Sequence, residues 1–215
     1  MILILLGPPG AGKGTQAKLL SAHYRVPHIS TGDMFRDHSA RGTELGKRVR
    51  AIMEAGGLVT DDVTNAMVQE RLSRPDVAQG FILDGYPRTV PQAEFLDGLL
   101  RSAGRAITRV VSYDVAEDLL VERISGRRSC PKCGTIYHVS QNPPKRAGVC
   151  DRDGAELVQR DDDRPENVKK RMQEYATKTE PLKRFYSARE LLSSVEGVGT
   201  PEGILAATVR LLPAK

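Results

Sequence analysis

The sequence lacks the features that mark membrane proteins, secreted proteins and open base-stacking proteins. It has no tryptophan, and only 5% of its 215 residues are aromatic, which is little for a protein that stacks nucleic-acid bases on its surface. No apolar run approaches the roughly 20 residues of a membrane-spanning helix. The apolar stretch Ile2 to Leu6 is too short for a signal peptide and has no basic segment before it. We therefore expect a soluble, cytoplasmic protein without membrane or nucleic acid as partners, built as one domain with a small insert.

Cysteine is scarce, and its three residues are clustered at positions 130, 133 and 150. An odd, clustered set in a chain without a secretion signal favours metal binding over disulfides. Two potential ligand pairs, Cys130-Pro-Lys-Cys133 and Cys150-Asp-Arg-Asp153, have the spacing of a zinc ribbon. Three thiolates and the Asp153 carboxylate would close a tetrahedral site, which predicts a structural Zn²⁺. His138 is the alternative fourth ligand, and three reduced thiols without metal are the other interpretation.

Acidic residues are fewer than basic ones. The chain has 27 Asp and Glu against 32 Lys and Arg, a net charge of +5, and 22 of the basic residues are arginine. The guanidinium fork of arginine matches phosphate oxygens bidentately. The excess charge suits a polyanionic ligand such as a nucleotide, although a basic surface without any partner is equally compatible with it.

Short apolar strands alternate with helical patterns along most of the chain. The strands are predicted at 2–6, 81–83 and 107–113, and the helices at 13–24, 61–73, 89–102 and 116–126. This alternation is typical of a parallel sheet covered on both faces, that is, an α/β fold. A long helix is predicted after Pro165 and a last one from about Pro201.

Two regions interrupt this alternation. Residues 30–59 are predicted to form small helices around several glycines. Residues 127–163 are rich in Cys, Pro and Gly and end on the acidic run Asp161 to Asp163. A structureless loop of that length is uncommon in a compact domain, so this insert needs its own stabilising element, which the cysteines could supply.

The segment after the first strand has the pattern of a phosphate-binding loop. Residues 7–15 read Gly-Pro-Pro-Gly-Ala-Gly-Lys-Gly-Thr, between a predicted strand and a predicted helix. Successive N–H groups and the helix N-terminus would face an anion, and Lys13 would reach the transferred phosphate. Gly14 replaces the usual Ser or Thr after the lysine, and Thr15 follows. Asp84, which ends a strand, could hold Mg²⁺ directly or through water, or could be only a turn residue.

Three long motifs resemble those of the nucleoside monophosphate kinases, specifically the adenylate kinases. They are residues 7–17, Ile-Ser-Thr-Gly-Asp-Met-Phe-Arg at 29–36, and Leu-Asp-Gly-Tyr-Pro-Arg-Thr-Val-Pro-Gln-Ala at 83–93. The similarity extends over nearly the whole chain, and the insert has the length of the long form of the family, some members of which carry a zinc-bearing lid.

The resemblance implies a P-loop NTPase fold with a five-stranded parallel sheet. Residues 1–29, 60–125 and 164–215 would be the core, 30–59 a helical flap over AMP, and 126–163 a zinc-ribbon-like lid over ATP. The implied enzyme is a monomer that catalyses MgATP + AMP ⇌ MgADP + ADP, with ATP, AMP and ADP as its partners. The alternatives are a kinase with another donor, such as a GTP:AMP phosphotransferase, and a zinc-ribbon nucleic-acid-binding protein. A GTPase is disfavoured, because the sequence has no Asn-Lys-x-Asp motif.

The resemblance also assigns individual residues. Those implied for ATP are Gly10, Ala11, Gly12, Lys13, Gly14, Thr15, Arg127, Ile136, Tyr137 and Gly199. Those implied for AMP are Thr31, Arg36, Gly57, Leu58, Val59, Gly85, Tyr86, Pro87, Arg88, Gln92, Arg160 and Arg171, with Gln92 reading the adenine edge. The implied catalytic cations are Lys13, Arg88, Arg123, Arg160 and Arg171. Asp33 and Asp84 would hold magnesium through water. The remaining histidines, His23, His28 and His38, are interpreted as isolated structural residues.

Overall fold

The computed structural model of the chain describes residues 1–213; residues 214 and 215 of the predicted core segment lie outside the described residues. Its strands are β1 (Ile2–Leu6), β2 (His28–Ser30), β3 (Phe81–Asp84), β4 (Arg109–Asp114), β5 (Arg127–Ser129), β6 (Ile136–His138) and β7 (Leu192–Glu196). Five of them form a parallel sheet in the order β2-β3-β1-β4-β7, and β5 pairs with β6 as a separate antiparallel hairpin. The predicted five-stranded parallel sheet is therefore confirmed.

The central strand β1 is buried on both faces along its whole length. Ile2 and Ile4 pack on one side with Val68, Leu96 and Leu182. Successive strand residues point to opposite faces, so Leu3 and Leu5 pack on the other side, with Ala17, Leu20 and Leu120. This double burial explains why the strand reads as an unbroken apolar run. The edge strands β2 and β7 are only partly buried, and β2 has only three residues, so local hydrophobicity did not reveal them.

Helices cover both faces of the sheet. They are α1 (Lys13–Tyr24), α2 (Thr31–Ala40), α3 (Glu44–Glu54), α4 (Asp61–Leu72), α5 (Val90–Ser102), α6 (Glu117–Ser125), α7 (Pro165–Glu174), α8 (Pro181–Ser187) and α9 (Pro201–Arg210). The long helix predicted after Pro165 is in fact divided, because a wide π-type turn over residues 175–179 joins α7 to α8. Pro181 has no N–H to donate to the preceding turn, and this interrupts regular helical bonding there.

Two small units stand beyond the sheet. In the first, α2 and α3 pack together around Phe35 and Val49, next to Met67 of α4. In the second, the β5–β6 hairpin encloses a cluster that contains Tyr137 and Leu157. The hairpin unit contacts α1, where Lys18 Nζ donates to the Gly134 carbonyl oxygen at 3.1 Å. Among the described residues, no helix has the length and apolar character needed to cross a bilayer.

Gly46 in α3 allows the packing of α2 on α3 to be tested, and Gly98 in α5 provides a comparison. A Cβ added at Gly46 would lie 2.1 Å from the His38 carbonyl oxygen, so Gly46→Ala must push the two helices apart. We expect the free energy of unfolding to fall by about 2 kcal/mol. Gly98 in α5 is exposed, and a Cβ there meets no described heavy atom within 4 Å. Gly98→Ala should therefore stabilise the protein by about 0.5–1 kcal/mol.

Thermal unfolding followed by circular dichroism measures both variants. A change of 1 kcal/mol corresponds to a Tm shift of about 2–4 °C for a chain of this size. A Gly46→Ala protein that melts at or above the wild-type temperature would contradict this account of the helix contact.

Candidate active site

The loop between β1 and α1 forms the floor of a cavity of about 940 Å³. Gly10 and Gly12 have φ values of +85° and +86°, in the left-handed region that glycine adopts without steric cost. Such turns bring backbone N–H groups together as an anion-binding nest, and α1 begins directly after them at Lys13. The loop therefore has the strand–loop–helix geometry that binds phosphate.

Lys13 lies partly buried at the base of this cavity. Its Nζ donates to the carbonyl oxygens of Gly7 and Pro8, at 2.6 and 2.9 Å. Burial lowers the pKa of Lys13 to about 8; the positive charges of Arg88 and Arg171 act in the same direction, and the carboxylate of Asp84 opposes them. An anion placed beside Lys13 would favour its charged form.

Six arginines from different parts of the chain line the same cavity: Arg36, Arg88, Arg123, Arg127, Arg160 and Arg171. Burial, together with neighbouring arginines, lowers the pKa of Arg88 and of Arg160 to about 10 each. The six guanidinium groups give the cavity a strongly positive lining, in which the side chains lose hydration and repel one another. The arrangement suits a ligand with several phosphate groups.

A fully buried carboxylate, Asp163, joins two of these arginines. Arg127 contacts both of its oxygens, with Nε donating to Oδ2 at 2.8 Å and Nη2 donating to Oδ1. Arg171 Nη1 donates to Oδ1 at 2.7 Å. Burial favours the neutral acid, but the bond and the charge of Arg127 outweigh it, so the pKa of Asp163 lies below its usual value. Asp163 therefore fixes the positions of both guanidinium groups.

A second, partly buried carboxylate, Asp84, lies at the carboxyl end of β3. His28 Nε2 is 3.4 Å from Asp84 Oδ2, and both residues line the cavity. Although burial opposes ionisation, the His28 imidazole and the Lys13 charge hold the pKa of Asp84 below its usual value. A Cβ added at Gly14 would lie 3.3 Å from Asp84 Oδ2, so the glycine leaves room beside an ionised oxygen ligand. This donor and this space fit a hydrated Mg²⁺.

The part of the cavity beside α2 and α3 combines apolar walls with one buried amide. Phe35, Met53 and Val59 line it together with Gln92, which is 2% exposed. Beside them, Gly85 accepts bonds at its carbonyl oxygen from Thr31 Oγ1 at 2.8 Å and from Arg88 Nε at 2.9 Å. This end can enclose a flat aromatic base next to a cationic phosphate site.

The lid and the chain before α9 line the opposite part. Ile136 and Tyr137 of β6 belong to the wall, as do Gly199 and Thr200. Arg123 Nη1 donates to the carbonyl oxygen of Gly197 at 2.9 Å, which attaches α6 to this segment. The cavity thus has two ends, with the cations between them.

The four predicted metal ligands in the lid meet in one cluster. Ligand atoms of Cys130, Cys133, Cys150 and Asp153 all lie within 4.8 Å of one another. Cys133 Sγ is 3.6 Å from Cys150 Sγ, and Cys130 Sγ is 3.3 Å from Asp153 Oδ2. A tetrahedron with zinc–sulfur bonds of about 2.3 Å has edges of roughly 3.8 Å, so the cluster has the dimensions of a metal site.

The alternative fourth ligand, His138, is engaged elsewhere. Its Nδ1 accepts from the backbone N–H groups of Ser140 and Gln141, at 3.2 and 3.1 Å. Its ring packs against Gly126, where an added Cβ would lie 2.1 Å from Nε2. The structure therefore groups Asp153, and not His138, with the three thiols.

Comparison with known proteins decides the family. A family model described as adenylate kinase matches residues 5–191. The chain is 81% identical, over 99% of both chains, to the adenylate kinase of Anaeromyxobacter sp. strain Fw109-5, and 79% identical over the same share to that of Anaeromyxobacter dehalogenans strain 2CP-1. It is 54% identical to the adenylate kinase of Oceanobacillus iheyensis over 92% of both chains.

The chain belongs to the adenylate kinase family. The resemblance drawn from its motifs is confirmed, and so is the prediction that it is a phosphotransferase. The similarity runs along the whole chain, so the cysteine-bearing insert is part of an adenylate kinase. The alternative of a zinc-ribbon nucleic-acid-binding protein loses its support.

The residues that the family resemblance assigned to nucleotides, catalysis and magnesium all line the one cavity, with a single exception. The exception is Tyr86, which is 1% exposed and packs in the core. Its hydroxyl donates to Asn65 Oδ1 at 2.6 Å and lies 3.2 Å from the Gln92 carbonyl oxygen. The Tyr86 side chain therefore supports the adenylate kinase cavity from behind.

Sequence reasoning did not assign three residues that the structure brings to this site. Asp162 and Asp163 were noted only as an acidic run, although they adjoin Arg160 and bind Arg171. His28 was interpreted as isolated, yet it lies beside Asp84. The acidic run next to a motif arginine was a usable signal, whereas nothing local to His28 indicated its partner.

Asp163→Asn tests the fixing of the two arginines. The substitution removes the charge that Arg127 and Arg171 share, and breaking a buried ion pair costs about 3 kcal/mol or more. We expect a lower Tm and, at a temperature where the variant is folded, a kcat reduced by at least about tenfold. Steady-state kinetics and thermal melting measure the two effects.

Asp161→Asn is the matched control, because Asp161 is exposed and pairs at 2.8 Å with the exposed Arg164. Such surface pairs contribute about 1 kcal/mol or less, so this variant should resemble the wild type. If Asp163→Asn also turns over at the wild-type rate, the proposed fixing of the arginines is wrong.

Proposed function

We propose that this cavity transfers the terminal phosphoryl group of ATP to AMP, reversibly, to give two molecules of ADP. ATP:AMP phosphotransfer is the activity of the family to which the chain belongs. The observation that carries the assignment to this site is the convergence of Lys13 and six arginines on one cavity with two ends. The placement of each nucleotide below belongs to the proposal.

ATP would lie over the phosphate-binding loop. The N–H groups of residues 10–15 and the Lys13 ammonium face its phosphates, while Arg127, Ile136 and Tyr137 of the lid cover it. Gly199 borders the adenine at this end. The positive φ values of Gly10 and Gly12 and the start of α1 at Lys13 support this orientation.

AMP would occupy the other end. Arg36, Arg88, Arg160 and Arg171 surround the place of its phosphate, and Gln92 lies where it can bond the edge of the base. The backbone of residues 57–59 and 85–88, with Thr31, completes the walls. The apolar side chains of Phe35 and Val59 support a flat base at this end.

The transfer itself needs alignment and charge stabilisation more than covalent help from the protein. A phosphate oxygen of AMP attacks the γ-phosphorus of ATP, and the bond from that phosphorus to the β–γ bridging oxygen breaks, which leaves ADP on both sides. MgATP and AMP together bring about four negative charges to one place. Lys13, Arg88, Arg123, Arg160 and Arg171 would stabilise the charge on the moving phosphoryl group. No general base is required, because the attacking oxygen is already ionised.

Asp84, with Asp33 at the rim, would hold the magnesium ion that accompanies ATP, through water. The low pKa of the partly buried Asp84, and a glycine at position 14 in place of a side chain beside its Oδ2, fit such an ion. When bound, Mg²⁺ neutralises part of the phosphate charge. Family membership supports magnesium as the metal that acts with ATP.

The proposed domain division follows from the same arrangement. Residues 30–59 would form the flap over AMP, 126–163 the lid over ATP, and the rest the core. Both small units line the cavity, so their closure would exclude water that would otherwise hydrolyse ATP. We also propose a monomeric, cytoplasmic enzyme with ATP, AMP and ADP as its partners.

The lid would be held together by a structural Zn²⁺ on Cys130, Cys133, Cys150 and Asp153. Four protein ligands would leave no open coordination position, which favours a structural role for the ion. The lid's own cluster of buried apolar side chains is small and includes two of the cysteines. Metal binding would therefore supply much of the folding free energy of this unit.

A coupled assay of ADP formation from AMP tests the proposed function. The chain is assayed with ATP and with GTP as donor, and AMP is then replaced by UMP or CMP. Rapid ADP formation with ATP and AMP supports the proposal. A clear preference for GTP would instead favour a GTP:AMP phosphotransferase.

Lys13→Met should leave the fold intact and lower kcat by at least about a hundredfold, because it removes a preorganised charge at the moving phosphoryl group. The coupled assay measures kcat, and thermal melting checks the fold. Lys47→Met is the control, since Lys47 forms only an exposed ion pair with Glu44 at 2.7 Å. Near-normal turnover in a folded Lys13→Met protein would refute the role of Lys13.

Removal of zinc with a strong chelator should lower Tm and loosen residues 127–163, while activity at low temperature with excess Mg²⁺ is largely retained. Metal analysis of the untreated protein should find one zinc per chain. Complete loss of activity while the lid stays ordered would indicate a catalytic metal. Absence of zinc from reduced, untagged protein would show that these four side chains do not form a zinc site.

Two aspartates provide a matched pair for the fourth ligand. Asp153→Asn should weaken zinc retention during dialysis, because a neutral amide replaces a carboxylate ligand. Asp151→Asn should retain zinc, since Asp151 Oδ1 only accepts from the backbone N–H of Lys145 at 2.9 Å. Equal retention by the two variants would contradict Asp153 as a ligand.

A further inference from the structure

The side-chain amide of Gln92 is held from two sides by groups of opposite hydrogen-bonding character. Its Oε1 accepts from the backbone N–H of Arg88 at 2.8 Å. Its Nε2 donates to Asp61 Oδ1 at 2.7 Å. A backbone N–H can only donate and a carboxylate can only accept, so these two partners define which end of the amide is oxygen and which is nitrogen.

Asp61 is itself fixed in place. Its second oxygen, Oδ2, accepts from Thr89 Oγ1 at 2.9 Å, and that hydroxyl in turn accepts from the backbone N–H of Gln92 at 3.2 Å. Asp61 lies in the first turn of α4, Gln92 in the first turn of α5, and Thr89 caps α5. Gln92 is among the residues that line the cavity, whereas Asp61 is not. Asp61 can therefore act on a ligand only through Gln92.

Each end of the fixed amide retains one unused hydrogen-bonding position. Nε2 has a second N–H to donate, and Oε1 has a second lone pair to accept. The amide thus offers a donor and an acceptor side by side, in a fixed order. The order decides which purine edge it can bond.

The two kinds of purine present opposite edges. A 6-aminopurine such as adenine has an acceptor at N1 and a donor at its amino group, so Nε2 can donate to N1 while Oε1 accepts from the amino group. A 6-oxopurine has a donor at N1 and an acceptor at O6, and it would need the amide turned by 180°. An amide free to turn could bond either edge, whereas one held by Asp61 and Arg88 bonds only the first.

We propose that Asp61 is a positioning residue that makes the acceptor site select a 6-aminopurine over a 6-oxopurine, by holding the Gln92 amide in one orientation. The inference rests on the proposed function, in which Gln92 meets the base of AMP. Selectivity then comes from a carboxylate that does not touch the nucleotide.

Inosine monophosphate is the probe, because it differs from AMP only at N1 and C6 of the base. The coupled assay gives kcat/KM for AMP and for inosine monophosphate, and their ratio is the selectivity. In Asp61→Asn the neutral amide at position 61 can donate as well as accept, so it no longer dictates the orientation of Gln92. We expect the selectivity to fall by at least about fivefold, as for loss of a hydrogen bond to a charged group. Arg88 N–H still favours one orientation, so some selectivity remains.

Asp62→Asn is the matched control. Asp62 lies beside Asp61 in the first turn of α4 but is exposed, so it loses the same charge at the same helix end. Its selectivity should stay within about twofold of wild type. Damage to the fold alone would lower kcat/KM for both nucleotides and leave their ratio unchanged, so the ratio separates positioning from structural support. Asp61→Ser, whose hydroxyl can also donate or accept, serves if Asp61→Asn does not fold.

Gln92→Ala separates failure of the inference from failure of the proposed function. If Gln92→Ala lowers the selectivity and both Asp61 variants keep it at the wild-type value, the positioning role of Asp61 is wrong while the AMP site stands. If Gln92→Ala itself leaves the ratio unchanged, Gln92 does not meet the base, and the proposed placement of AMP fails together with the inference. Loss of selectivity in Gln92→Ala and in an Asp61 variant, but not in Asp62→Asn, supports the proposal.

Discussion

Burial of positive charge around one cavity is the constraint on which the rest of this structure depends. Lys13 and arginines from α2, α6, α7, the lid and the loop before α5 meet there. Their pKa values reflect the electrostatic cost of this arrangement. Burial and mutual repulsion lower the pKa of Lys13 to about 8 and those of Arg88 and Arg160 to about 10. The buried Asp163 and the partly buried Asp84 offset part of the charge. A ligand rich in phosphate offsets the remainder.

The fold makes this convergence possible. The parallel strands β1 and β3 end side by side, so the phosphate-binding loop and Asp84 meet at one edge of the sheet. The sheet is rigid because both of its faces are covered, and it fixes this half of the site. The other cations come from small units outside the sheet, one of which has little apolar core of its own. The proposed zinc site of Cys130, Cys133, Cys150 and Asp153 would compensate for that small core.

Much of this could be read from the sequence, because local patterns report local structure. The buried strand β1, the glycine-rich loop and α1 follow one another within 24 residues, and their motif defines both structure and chemistry. The cysteine pairs were recognisable from spacing alone. In contrast, the edge strands β2 and β7 carry too few buried residues to give a pattern, and the break between α7 and α8 depends on a single proline.

The residues that sequence reasoning missed share a different property: their partners are far away in the chain. Asp163 binds Arg127 across 36 positions, and Asp61 binds Gln92 across 31. Neither pair forms a motif. The acidic run marks Asp163 as noteworthy and nothing local marks Asp61, but in neither case does the sequence show which cation or amide the carboxylate will meet. Motifs identified the groups that would touch the nucleotides, whereas the groups that orient them emerged only from the tertiary structure.

The central claim is that the two phosphate sites form one continuous cationic cavity. Calorimetric titration with a compound in which two adenosines are joined through a chain of five phosphates tests this most directly. If both sites share the cavity, one molecule binds per chain, and saturation with it abolishes the binding of both ATP and AMP. A stoichiometry of two, or continued binding of ATP or AMP to the saturated protein, would contradict the account.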